Sequence, residues 1–149
     1  MNKSDPATLQ ACTDTLLAFT HAFDMGDIAT MRQHFAPDGV WARHDGPCTG
    51  HDGLAELMAR RGPKVFVRHV ISNMRGRPLA QDLFEIESYV TVYRHDDPGT
   101  LPAPVSGPDV VARYRDTFNL RGSQWLLARR EVKVDFKHVP QPAREEARA

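Results

Sequence analysis

Cysteine is almost missing from this chain: 149 residues carry only Cys12 and Cys48. Two thiols cannot form the disulfide framework of a small secreted scaffold, and Cys12 falls on a helical stripe as a small core residue. Net charge is missing too, with 19 Lys and Arg set against 19 Asp and Glu. The lack of a basic surplus argues against nucleic acid or an anionic membrane as the main partner. It also leaves little electrostatic barrier to self-association. No stretch approaches 18 apolar residues, and the start MNKSDPATLQ has no apolar signal core, so the expected location is the cytoplasm. Metal motifs are absent as well. His44-Asp45 and His51-Asp52 sit in Gly-rich turns, and nothing resembles HExxH or a close His/Cys set. No metal and no cofactor are therefore expected.

What is present is one domain's worth of chain, 41% hydrophobic, with a core expected over residues 1–139 and a polar tail at 140–149. Its clearest feature is a hairpin from Val110 to Phe136. Taking Gly122, Ser123 and Gln124 as the loop sets Arg121 opposite Trp125. Leu120 then faces Leu126, Phe118 faces Ala128, Asp116 faces Arg130, Tyr114 faces Val132 and Ala112 faces Val134. That face is apolar except for Tyr114, Asp116 and Arg130, and polar groups on a buried face need partners or a function. The other face carries Arg113, Arg115, Thr117, Arg129, Glu131 and Lys133, which suits solvent or a polar interface between two copies.

Elsewhere the punctuation is local. Asp5-Pro6 starts a helix whose Leu9, Cys12, Leu16, Phe19 and Phe23 form one stripe, ended by Met25-Gly26. Asp27 caps a shorter helix with Ile28, Met31 and Phe35, stopped by Pro37. Asp38-Gly39 reads as a turn and Val40–His44 as a strand. Asp52 reads as the cap of a third helix bearing Leu54, Leu57 and Met58. Val65 to Arg75 is apolar on both faces, as a central strand would be, and it carries His69. Gly76-Arg77-Pro78 reads as a turn before a strand from Leu83 to His95. Residues 96–109, with four prolines and two glycines, form an irregular connection. Helices first and long antiparallel strands after make an α+β layout.

AFDMGDIATMRQHFAPDGVW at 22–41, Gly50-His51-Asp52, VRHVISNM at 67–74 and the RYRDTF…W hairpin together resemble the nuclear transport factor 2-like superfamily, and within it SnoaL-type proteins. The resemblance implies a cone-shaped curved antiparallel sheet wrapped around three N-terminal helices, a pocket between them, and a homodimer built on the sheet face. It does not settle activity, because the fold hosts dehydratases, isomerases, cyclases and non-catalytic binding modules alike. Asp24 and His69 match the positions of an aspartate and a histidine in scytalone dehydratases, although Phe23 stands where those enzymes have a tyrosine. Asp116-x-Phe118-x-x-x-Gly122 resembles the ketosteroid isomerases, but Phe19 and Arg43 replace that mechanism's tyrosine and base.

Asp24 and His69 are thus the candidate acid–base pair, the carboxylate orienting the imidazole. The alternative has Asp24 capping the second helix and His69 bonded in the core. Asp116 against Arg130 reads as a structural ion pair, ionised and unable to donate, that still orients a polar substrate group beside Tyr114. Trp41, Arg43 and His44 leave the first strand near the pocket mouth. Trp41, His44, Tyr114, Asp116 and Arg130 are the expected substrate contacts. The expected activity is a cofactor-independent lyase, isomerase or cyclase on an apolar cyclic metabolite, with a ligand-binding module or accessory subunit as the rival.

Overall fold

The computed structural model describes residues 5–140, so all but the first residue of the expected tail lies outside the described residues. The chain opens with α1 (Pro6–Met25), α2 (Ile28–His34), β1 (Phe35–Arg43), β2 (Gly46–Thr49) and α3 (Gly50–Arg60). It continues with β3 (Phe66–Ala80), β4 (Leu83–His95), β5 (Val110–Arg121) and β6 (Gln124–Lys137). The six strands form one curved, unclosed sheet in the order β2-β1-β6-β5-β4-β3. Every strand pair is antiparallel except β1 with β6, so the α+β sheet is mixed where a wholly antiparallel one was expected. Among the described residues no helix is long and apolar enough to cross a membrane.

Helix α1 begins as expected, with both Asp5 carboxylate oxygens accepting first-turn N–H groups. It ends at Gly26, whose φ of +71° is the left-handed conformation that glycine adopts without a Cβ clash. Its stripe packs on the concave face of the sheet: Cys12, Leu16 and Phe19 are fully buried. Phe19 stacks on Phe35 at 5.4 Å and meets Trp41 edge-on at 5.7 Å. The main core cluster joins this helix face to Met31 of α2, Leu54 and Leu57 of α3 and inward residues of the sheet, and a second cluster gathers Val90, Ala112 and Tyr114.

Under that core lies the hairpin pair. Asp116 and Arg130 are cross-strand neighbours, 0% and 1% exposed. Arg130 Nε and Nη2 each donate to one carboxylate oxygen, both at 2.8 Å. Burial pushes the Asp116 carboxyl up, and the charge and hydrogen bonds of Arg130 pull against it. Burial also works against the Arg130 charge, and Asp116 more than offsets it. The pair is ionised, because a guanidinium keeps its proton and a protonated Asp116 would leave a buried cation alone. Aromatic faces complete the cage: the guanidinium carbon lies 4.1 Å from the Tyr114 centroid, 5.4 Å from Phe19 and 5.5 Å from Trp41.

Several sequence expectations are corrected. The hairpin register holds from Ala112 to Thr117 and then slips by one, giving Phe118↔Leu127 and Leu120↔Trp125 around a two-residue Gly122-Ser123 turn. A bulge in β6 at this point turns Leu127 to the core side, where it is fully buried. Strand β3 is an edge strand, not a central one: its outward Val70 is 51% exposed. Gly76-Arg77-Pro78 is no turn but the continuation of β3. A Cβ on Gly76 would lie 2.5 Å from Leu9, so glycine here admits α1 to the strand, and a proline is tolerated at a sheet edge. Phe35 belongs to β1 rather than α2, and Pro37, Asp38 and Gly39 sit in a bulged part of that strand. Thr49, not Asp52, precedes α3, and Cys48 is buried in β2.

Two outcomes follow from this packing. Asp116→Val and Arg130→Met should each cost about 3–5 kcal/mol in denaturant unfolding, while the double variant costs far less than their sum. Additive losses would mean that the pair is not coupled. Burial also pushes the Cys12 thiol up to about 12 and raises Cys48. Ellman's reagent at pH 8 should therefore label neither thiol until the protein is unfolded, and rapid labelling of the native state would contradict their burial.

Candidate functional site

Asp24 lies in the last turn of α1, where the helix ends against β3. One carboxylate oxygen accepts the backbone N–H of His69 at 2.9 Å, and the other meets the ring Nδ1 at 2.6 Å. The two side chains are only 6% and 9% exposed. Asp24 does not cap α2; Asp27 does, accepting the Thr30 N–H at 3.1 Å. Because a carboxylate only accepts, the neutral imidazole must carry its hydrogen on Nδ1 and keep the lone pair on Nε2. Among the described residues Nε2 has no hydrogen-bond partner. Phe23 meets the His69 ring edge-on at 5.5 Å and holds it from the helix side.

Asp24 is itself positioned by a residue that the sequence reading missed. The guanidinium of Arg61 donates to the carbonyls of Phe23 and Asp24, the latter at 3.0 Å, and lies 5.2 Å from the Phe23 ring. A cation at the last carbonyls of a helix is favourable. Burial lowers the Arg61 pKa, and the Asp24 charge opposes that. No local pattern marks this contact, which spans 37 positions.

His69 opens onto a cavity of about 290 Å³. Its walls are Val90, Val92, Val110, Ala112, Val132 and Val134, with Tyr114 and Trp41 at the inner end and Arg43 and His44 at the mouth. All of these lie on strands or in the turn after β1, and α1 approaches only through Phe23 and Asp24 behind His69. The valines were also missed as cavity-lining residues, although their alternation puts them on the inward face. Of the expected contacts, Trp41, His44 and Tyr114 line the cavity. Asp116 and Arg130 do not. Their mutual bonds and the Tyr114, Trp41 and Phe19 rings enclose them, so they support the floor without forming it. Burial pushes the Tyr114 phenol up, keeping it a proton donor at neutral pH.

A larger hollow of about 930 Å³ lies mainly on the outward face of the sheet, among Arg75, Glu87, Tyr89, Arg113, Arg115 and Glu131. The dyad does not reach it. Among the described residues no three His, Cys, Asp or Glu side chains converge as metal ligands. His51 instead bonds the Phe35 carbonyl at 2.8 Å.

Solved structures share this fold. A Novosphingobium aromaticivorans protein provisionally assigned as a scytalone dehydratase is 18% identical, with a TM-score of 0.74 over 96% of this chain and 95% of that one. A hexachlorocyclohexane dehydrochlorinase, LinA type 2, is 14% identical, with a TM-score of 0.72 over 92% and 95%. A Catenulispora acidiphila protein in complex with S-DNPA is 21% identical, with a TM-score of 0.69 over 88% and 96%. At these identities the likeness is one of fold. No curated protein matches the sequence significantly. The SnoaL-like domain model matches residues 7–131, and the chain belongs to that family, within the nuclear transport factor 2-like superfamily.

Proposed function

We propose that this protein is a cofactor-independent lyase, isomerase or cyclase acting by proton transfer on a small, apolar, cyclic substrate. One observation carries the reading: the Asp24 carboxylate holds both the ring and the backbone of His69, which faces an apolar cavity. A ligand-binding role needs only the valine walls. It does not need an imidazole fixed in one tautomer at the cost of burying a carboxylate.

In this reading His69 Nε2 takes a proton from a carbon made acidic by a neighbouring carbonyl. The Tyr114 phenol donates a hydrogen bond to the oxygen where charge develops, and the imidazolium that forms is stabilised by Asp24. Returning the proton to another carbon completes an isomerisation. Loss of a leaving group from the adjacent carbon completes an elimination. Fold relatives named as a scytalone dehydratase and a dehydrochlorinase support the elimination class without fixing the substrate.

We also infer a homodimer through the outward sheet face, where Val70, Tyr89 and Phe136 are 51%, 50% and 71% exposed beside the arginine-rich hollow. Light scattering at micromolar concentration should give twice the chain mass, and a monomer would overturn this.

The test of catalysis needs no natural substrate. 2-Tetralone, a bicyclic ketone with acidic C–H bonds, should exchange hydrogen for deuterium faster with the protein in D₂O. His69→Ala should remove about 10²–10⁴-fold of that rate, the usual worth of a general base. Exchange unaffected by the substitution would leave the binding-module reading. Asp24→Asn should convert the His69 ring, read by its ¹⁵N shifts at neutral pH, from the single Nδ1–H tautomer to a mixture. A ring unchanged by that substitution would mean that Asp24 does not orient it.

A further inference from the structure

We propose that the mouth of the cavity is a carboxylate subsite anchored by Arg43, so that the ligand is an apolar ring bearing one anionic group. The inference rests on the cavity being the ligand site and names the chemistry of what enters it.

The first observation is the sign of the wall. Its side chains that can carry charge near neutral pH are Arg43, His44 and His69, all potential cations, and no Asp or Glu lines it. Asp24 stands behind His69 and is consumed by two hydrogen bonds to it. A low-dielectric cleft lined by one sign concentrates ligands of the other.

The second observation is how Arg43 is held. Its side chain is only 19% exposed, and its guanidinium carbon lies 4.9 Å from the centroid of the Trp41 ring. Stacking fixes the plane of the fork, so little freedom remains to be lost on binding. Asp45, outside the cavity and 42% exposed, accepts from Nε at 3.0 Å. That hydrogen bond holds the Asp45 carboxyl below its usual range, so it stays ionised and keeps the guanidinium turned. Among the described residues neither Nη1 nor Nη2 of Arg43 has a hydrogen-bond partner. The Trp41 indole N–H, in the same wall, is likewise without one. A planar carboxylate matches the free edge of the fork. A phosphate ordinarily draws on a helix N-terminus or a nest of backbone N–H groups as well, and no helix residue lines this cavity. With its carboxylate at Arg43, a ring between the valines would present its far carbons to His69.

The probes are 2-naphthoate and 2-naphthamide, equal in shape and different in charge, with affinities read by calorimetry. Wild-type protein should bind the acid on the order of tenfold more tightly, the usual worth of a charge-assisted hydrogen bond. In about 1 M sodium chloride, where screening acts within about 3 Å, that preference should shrink. Arg43→Gln should abolish it while leaving the amide unaffected. Asp45→Asn, which keeps an acceptor for Nε and removes the competing negative charge, should strengthen binding of the acid alone; this second variant tests the inference even where Arg43→Gln fails to fold. Equal affinities in the wild type, or an Arg43→Gln loss shared by both probes, would overturn the carboxylate subsite and leave the ligand cavity standing. Binding of neither probe would overturn both.

Discussion

The pair of hydrogen bonds that His69 donates to the Asp24 carboxylate is the constraint on which the site depends. An edge strand such as β3 presents unpaired backbone groups on its open side. Here one of those N–H groups is taken by a carboxylate at the end of α1, and the ring of the same residue is taken by the other oxygen. One side chain thereby ties helix to sheet and sets the tautomer of the imidazole. The Arg61 guanidinium on the last carbonyls of α1 fixes where that carboxylate stands. Each charge-assisted bond contributes about 1.5–3 kcal/mol, enough to offset much of the cost of burying Asp24.

Beneath the cavity a second buried charge pair serves a different end. Asp116 and Arg130 satisfy one another and are enclosed by three aromatic rings. The cost of desolvation makes such a pair weak evidence of net stability, but breaking it is expensive, and that penalises any other register of the central hairpin. Tyr114 therefore stays on the cavity side, next to a fixed cation and with its phenol protonated. The pair supports the floor, while His69 and Tyr114 are groups that face the cavity.

Much of this was legible in residue patterns. Period-two alternation and the charged pair set the hairpin register through Thr117. The resemblance to scytalone dehydratases singled out Asp24 and His69. What stayed illegible is physical rather than accidental. The β6 bulge is a packing solution between Leu127 and Phe118, and no local residue announces it. β3 read as central because apolar residues on its outward face, Val70 among them, look buried in sequence yet are exposed. Gly76 read as a turn because its purpose, room for Leu9, lies in another element. Arg61 joins the site from 37 residues away. Asp116 and Arg130 were expected to touch substrate, since sequence reveals a polar pair on an inward face but not the rings that cover it.

The central claim is that a ligand occupies the valine-walled cavity against His69. The most direct measurement is a methyl and imidazole NMR titration with 2-tetralone. The account predicts that shifts concentrate on Val90, Val92, Val110, Val132 and Val134 and on the His69 ring. Shifts confined to Tyr89, Val70 and Phe136 on the outward face, with the His69 ring unmoved, would contradict it.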